Sequence, residues 1–581
     1  MAKIKKEKYL KHILKFYKKH IILYVCFLVI LLIKAVASFF SAMLVAKMIT
    51  FVMESNYTLA LNYALYNLLI LLGSSIFSWL NTYFYKNLEN RVKFDIQQQV
   101  VSSALNTQMS FYDSVGTGVI ITRLTSDIDH LSDRFKTLTE KIVNVVRRIA
   151  YLAYIFVLDF RLGFVVLGSV IIVAICYAIR IYWLKKLKPG VKRQQEKVNS
   201  RIIETVRAVK DIKTLNCDNN TLEMIAIEQK QSIKLDNHEY YVGNGLCKIT
   251  DIFTHIADYI FMIFSVLLLL KYNLTATVFY TCYLYKDHTF TLANEIGDFR
   301  YKLAECEVYA KRVHYLLCPN EKDVDKYGDK YPENYQGDIE FKNVNFEYKQ
   351  NLKVLDDISF KIEPKQTIAL VGESGSGKST ITNLIAHLYY KNSGQILFGG
   401  TEIEDLNRKF IKENIAMINQ FPYIFNMSIR ENFKMINKAI TDTEILKLCK
   451  DVGLYDFINS LPLGLDSVIG EGGCQLSGGQ RQKLCIARAL SRNVKVMIFD
   501  EATSSLDNTS QDEVMDIIRE LSKKITIIII AHRLSTITYA DKIMLIKQGK
   551  IVAQGKHEKL LETNKYYQSL YLKSKNIHKK Q

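Results

Sequence analysis

Three apolar runs in the C-terminal half each end in residues able to work on a phosphate. In "TIALVGESGSGKST" the run Thr367–Val371 leads into Gly372, four further residues, then Gly377, Lys378 and Ser379, and a helix-forming stretch. Glycines at this spacing let backbone N–H groups close around an anion. Lys378 can then reach the β- and γ-phosphates of a nucleotide, and Ser379 can hold Mg²⁺. The expected contacts are Gly372, Ser374, Gly375, Ser376, Gly377, Lys378, Ser379 and Thr380. In "VKVMIFDEATSSLD" a second apolar run ends at Asp500, suited to Mg²⁺, and Glu501, suited to polarise an attacking water as general base. A third, "ITIIIIAHRLST", ends at His532, placed for a γ-phosphate contact.

The run "CQLSGGQRQK" poses a different problem. It carries the glycines of a phosphate cradle at the start of a helix but no lysine before that helix. The N–H-rich start of a helix attracts an anion. Without a cation of its own, it completes a phosphate site only where another loop brings the rest.

These motifs need a rigid sheet to present them, and composition locates it. The mean hydropathy of +0.03 averages two unlike halves. Long apolar runs recur up to about residue 290, whereas strands and amphipathic helices alternate with charged turns from about residue 337. The expected layout is a membrane domain over 1–320, a linker over 321–337 and an α/β P-loop domain over 338–575. The net charge of +19 does not point to nucleic acid, because lysines crowd the first 20 residues ("KIKKEKYLKHILKFYKKH"), the flanks of apolar runs and the C-terminus, as anchoring on an anionic cytoplasmic leaflet requires. Ten scattered cysteines without a paired spacing argue against disulfides. The first apolar run is too long for the core of a signal peptide and reads as a retained span.

Six spans are expected, at about 21–50, 59–84, 142–159, 163–184, 250–271 and 273–292. The long, basic connections 86–141 and 185–244 place themselves and both termini in the cytosol. Their three- and four-residue apolar spacing predicts that the membrane helices continue well into it, punctuated at Pro189-Gly190 and at 108–118. Residues 6–18 fit an amphipathic helix on the membrane surface. Charges inside spans are expensive and suggest function; Lys34, Arg147, Arg148 and the trio Lys286, Asp287 and His288 stand out. The trio, in "VFYTCYLYKDHTFTL", is expected either to line a substrate cavity, or to pair internally or mark a mis-drawn span.

"LSGGQ" resembles the signature of ATP-binding cassette proteins, and the likeness extends over essentially the whole chain. It implies an exporter-type half-transporter: a membrane all-α domain fused to an ATP-hydrolysing cassette that pairs head to tail with a second one. Ser477, Gly478, Gly479 and Gln480 of one chain would then grip the γ-phosphate held by the other's P-loop. By the same likeness, Tyr348 in "VNFEYKQN" stacks on adenine and Gln420 in "AMINQFPYIF" meets Mg²⁺ and the membrane domain. Residues 504–507, ending at Asp507, contact the partner cassette, and Glu471 touches the cytosolic helices. "FYDSVGTGVIITRLTSDID" resembles the first coupling helix, and "ETVRAVKDIKTL" the region of the second, with Ala208 where glycine is usual. The cofactors implied are ATP and Mg²⁺. The implied partner is a second half-transporter, a homodimer being favoured over a heterodimer because no catalytic position is degenerate. Membrane lipid surrounds it, and the cargo is a peptide, lipid or amphipathic drug. The implied location is the inner (plasma) membrane, multi-pass, with the cassette cytoplasmic. Import by the same fold, or an ATP-gated channel, are the alternative readings.

Overall fold

The computed structural model describes residues 2–272, 275–319, 323–348, 352–470, 473–501, 507–530 and 538–578. The chain packs as two compact units, one of residues up to 105 together with 117–319, the other of 106–116 together with 320 onward.

The first unit is helical. Its long helices are Ile21–Met53, Tyr57–Ala104, Ile128–Leu158, Phe160–Arg207, Asp218–Tyr272, Ala276–Phe290 and Leu292–Leu317. Polar residues open them: Asn56 accepts a hydrogen bond from the Leu59 N–H, and Asp159 accepts from the Arg161 and Leu162 N–H groups. Among the described residues, four helices are long and apolar enough to cross a membrane: Ile21–Met53, Tyr57–Ala104, Phe160–Arg207 and the stretch Asp218–Lys271. The third and sixth expected spans fall outside that set. Ile128–Leu158 carries Lys141, Arg147 and Arg148, and Ala276–Phe290 is only 15 residues long and contains Lys286, Asp287 and His288. The 48-residue helices extend about 72 Å, far beyond the roughly 30 Å of a hydrocarbon core.

Two local expectations change. Pro189 does not interrupt its helix, which runs unbroken to Arg207. A mid-helix proline costs about 3 kcal/mol. Contacts along the neighbouring Asp218–Tyr272 helix offset that cost; the Gln194 amide, for example, donates to the Glu228 carboxylate at 2.6 Å. Among the described side chains of the N-terminal helix Ala2–Lys19, part of the apolar set packs onto protein, while Leu14 stays exposed. Ile13, Phe16 and Tyr17 are buried, Tyr17 stacks on Phe135 at 4.0 Å, and Lys19 and His20 both reach Asp95.

In the second unit, strands β1 (Ile339–Glu347), β2 (Lys353–Ile362), β4 (Ser393–Phe398) and β5 (Thr401–Glu402) form an antiparallel sheet in the order β2-β1-β4-β5. A six-stranded sheet carries β3 (Thr367–Val371), β6 (Ile415–Ile418), β9 (Val496–Asp500), β10 (Thr526–Ile530), β11 (Lys542–Lys547) and β12 (Lys550–Gly555) in the order β12-β11-β3-β10-β9-β6. Short β7 (Met427–Ser428) and β8 (Val468–Ile469) pair with each other. All pairs from β11 to β6 in the larger sheet are parallel. Both faces of such a sheet are covered, which is why β3 and β10 read as unbroken apolar runs and are buried at every position.

Candidate nucleotide site

Register brings the phosphate-directed motifs to one edge. Ile530 pairs with Leu370 on one side and with Asp500 on the other, so β3, β10 and β9 end level. Ligands of open parallel sheets bind at this carboxyl edge. The loop after β3 turns through left-handed glycines at 375 and 377. A Cβ on Gly377 would lie 2.7 Å from the Leu355 side chain, so the turn into the helix Lys378–Ile385 excludes any other residue.

Lys378 is 5% exposed and donates hydrogen bonds to the carbonyls of Gly372 (2.9 Å) and Glu373 (2.8 Å). Burial pushes its ammonium below the usual lysine range, while Glu501 and Asp500 pull the other way. Among the described residues, the buried hydroxyl of Ser376 has no hydrogen-bond partner. A buried cation resting on carbonyls, an unsatisfied hydroxyl and a left-handed cradle together fit a phosphate chain. The exposed Ser379 at the helix start and Asp500 at the level strand end supply oxygens of the kind a hard cation takes. Glu501, next in the chain, holds a left-handed φ of 50°. Non-glycine residues in that region store backbone strain and cluster at active sites. Ser374 and Gly375 are exposed, Thr380 is buried, and Gln420 is half-buried two residues beyond β6.

Tyr348, the residue expected to stack on adenine, has company that sequence reading missed. The Tyr348 hydroxyl lies 3.2 Å from that of Thr380, and its ring meets Tyr389 edge-on at 5.1 Å. The Tyr389 hydroxyl in turn donates to the carboxylate of Asp113 on the short helix Met109–Val115, which belongs to this unit. Asp113 and Tyr389 are 276 residues apart, so no local pattern pairs them. We expect Tyr389→Phe to leave ATP affinity within about twofold while weakening the dependence of hydrolysis on cargo, as loss of one charged hydrogen bond worth about 1.5–3 kcal/mol implies. Hydrolysis rates with and without cargo check this.

The signature serine caps the helix Gly478–Leu490. Ser477 accepts from the Gln480 N–H at 3.2 Å while the Gln480 side chain accepts from the Ser477 N–H at 3.0 Å, a reciprocal capping box. Ser477 and Gly478 are exposed. Gly479 is buried, and a Cβ there would lie 2.8 Å from Ser510, so glycine lets this helix approach the helix Asn508–Ser522. Asp507 is exposed and caps that second helix by accepting from the Ser510 N–H; hydrogen bonds from the Ser510 hydroxyl first and its N–H second hold its carboxyl below the usual range. Glu471, residues 504–506 and His532 lie outside the described residues.

In the first unit the charged trio divides by exposure, not by contact. Lys286 is 1% exposed and pairs with Asp258 at 2.6 Å and Asp287 at 2.8 Å, beneath the Tyr283 ring. Asp287 and His288 are exposed. Of the expectations for the trio, internal pairing describes Lys286 and Asp287. Lys34 donates to Ser78, and Arg148 pairs with Glu295, which also meets Lys141. Arg147 donates to Asn144. We expect Asp258→Asn to destabilise the chain by about 1–3 kcal/mol, because the buried ammonium of Lys286 keeps only the more exposed Asp287 as a charged partner. Lys286→Met should cost less, because the carboxylates it leaves unpaired, Asp258 and Asp287, both reach solvent. Thermal unfolding in lipid nanodiscs separates the two.

The fold and site define a P-loop nucleoside triphosphatase joined to a bundle of membrane-crossing helices. Residues 355–504 match the family described as ABC transporter, and residues 23–285 match the ABC transporter transmembrane region. The chain is 32% identical to the ATP-dependent lipid A-core flippase of Haemophilus influenzae, covering 85% of this chain and 84% of that protein. It is 31% identical to the flippase of the same name from Pasteurella multocida, over 87% of each. A 270-residue stretch, 45% of this chain, is 42% identical to 21% of Multidrug resistance protein 1 of Entamoeba histolytica. The chain belongs to the ABC transporter family. It is an exporter-type half-transporter, a membrane protein that binds ATP and couples its hydrolysis to translocation.

Proposed function

We propose that two copies of this chain form an exporter of amphipathic cargo in the inner membrane, with cassettes and termini cytoplasmic. The observation that carries the reading is the level ending of β3, β10 and β9 beside a capped, exposed signature helix that has no lysine of its own. Each active site then joins one chain's P-loop, Asp500, Glu501, Gln420 and His532 to the other's Ser477, Gly478, Gly479 and Gln480. Tyr348 stacks on the base, and Asp507 and Glu471 lie at the contacts through which closure is transmitted. Mg²⁺, held by Ser379, Gln420 and Asp500, would neutralise charge on the phosphates. Lys378 orients the phosphate chain, and Glu501 takes a proton from the attacking water. Closure of the paired cassettes biases the helices from inward- to outward-facing, and hydrolysis reverses the bias.

The cargo is best read as an anionic amphiphile, the relatives named as lipid A-core flippases being in accord. A cavity of about 420 Å³ in the membrane unit is lined by Arg180, Lys185, Lys188 and Lys302, with Asp298 the only acid among its lining residues. Arg180 and Lys188 lie about 30–42 Å along their helix from Phe160, the depth of the inner headgroups. Asp287 and His288 border the cargo path, while Lys286 is structural. Hydrolysis in nanodiscs, with Glu501→Gln as blank, tests both parts. Stimulation by anionic lipid that falls in Lys185→Gln/Lys188→Gln supports the cargo reading. Equal stimulation by cationic dyes overturns it, and absence of hydrolysis in every lipid overturns the homodimer.

A further inference from the structure

Away from the nucleotide site, among the described residues, one group of potential metal ligands converges. His12 on the N-terminal helix, His314 in the last turn of the helix Leu292–Leu317 and Cys318 just after it each offer a ligand atom, all within 4.8 Å of one another. The Cys318 Sγ lies 3.9 Å from both nitrogens of His12. The rings of His12 and His314 stand nearly perpendicular, 78° apart, with centroids at 5.1 Å, and Tyr9 packs on His314 at 4.9 Å. His314 and Cys318 are one helical turn apart, so their side chains leave the same face. His12 comes to them from 302 residues earlier in the chain.

The chemistry of the set selects the ligand. Two imidazoles and a thiol with no carboxylate suit a soft or borderline cation rather than Mg²⁺ or Ca²⁺. A tetrahedral ion with bonds of about 2.0–2.3 Å spaces its ligand atoms roughly 3.3–3.8 Å apart. The observed spacing, at most 4.8 Å, therefore needs a ring rotation and a closure of at most about 1–1.5 Å. Cys318 is exposed, which gives an ion a way in. Three protein ligands leave a fourth position to water, the pattern of an exchangeable site rather than a closed structural one.

We propose that His12, His314 and Cys318 bind a zinc-type divalent cation that staples the N-terminal helix to the end of the last helix of the membrane unit. The staple acts at the point where the chain leaves that unit for the linker, so occupancy favours the arrangement in which the two helix ends are held together. The inference is independent of the cargo and of the dimer.

The test uses the full chain in nanodiscs, purified through a tag without histidine and stripped of metal. Zn²⁺ is titrated against a chromophoric chelator, and Co²⁺ is used as a spectroscopic substitute. The expected result is one ion per chain, with the thiolate-to-cobalt charge-transfer band and the visible bands of a tetrahedral centre. Second-shell changes already cost about 10–100-fold in affinity, so His12→Ala and Cys318→Ser should each lose at least tenfold. Cys318→Ser should also abolish the charge-transfer band, and Cys217→Ser should change neither. Zn²⁺ should raise the thermal midpoint of the wild type and of Cys217→Ser, but not that of His12→Ala or Cys318→Ser. If His12→Ala does not fold, Cys318→Ser, at an exposed helix end, decides alone. Binding that is unchanged in Cys318→Ser, or no binding at micromolar Zn²⁺, overturns the proposal.

Discussion

Glu501→Gln is expected to lower ATP hydrolysis by about 10²–10⁴-fold, the usual worth of a positioned general base, while leaving ATP affinity within a few-fold. Glutamine keeps the length and shape of the side chain and its tolerance of the backbone at φ 50°, but it cannot take the proton from water. The level strand ends and the P-loop stay as they are, so nucleotide still binds. The paired cassettes should then close and not reopen, so the variant accumulates as an ATP-bound dimer. ATP binding by equilibrium dialysis, set beside turnover in nanodiscs, reads both halves of the prediction. Normal turnover would remove Glu501 from the chemistry.

Lys378→Ala should fail at an earlier step. Its ammonium is buried against the Gly372 and Glu373 carbonyls at the mouth of the loop, and burial already pushes its pKa down. Phosphate oxygens exchange neutral carbonyl partners for charged ones. Hydrogen bonds to charged groups are worth about 1.5–3 kcal/mol each. Losing two predicts a fall in ATP affinity of about 10²-fold or more, with hydrolysis lost alongside. The two variants thus separate: Glu501→Gln binds without turning over, and Lys378→Ala does neither. Unchanged ATP affinity in Lys378→Ala would contradict the placement of the phosphates in this loop.

What could be read from sequence follows from how far apart the participants lie. The strand, loop and helix from Thr367 to Ile385 and the strand ending at Asp500 are local patterns, and they stand in the structure where spacing predicts. Local pattern misleads where packing outweighs propensity. Pro189 continues a helix because the neighbouring helix holds it, and Ile13, Phe16 and Tyr17 face protein although the same periodicity serves a membrane surface. Long-range pairing leaves no trace in spacing. Lys286 meets Asp258 across helices, Tyr389 meets Asp113, and His12 meets Cys318 only once the chain has folded. The same holds for span six, whose charges lower its hydropathy even though one of them is enclosed among Tyr283, Phe261 and Phe290.

The central claim is that each hydrolytic site is shared between two copies of the chain. Lys378→Ala and Ser477→Arg are each inactive on this account, one lacking the phosphate anchor and the other the signature grip. Co-expression of the two under different tags, with tandem purification of the mixed dimer, assembles one doubly damaged site and one intact site built from the unmutated loop of each chain. The account predicts that ATP hydrolysis returns in the mixed dimer while each variant alone stays silent. A mixed dimer as silent as its parents would show that no site is built between the chains.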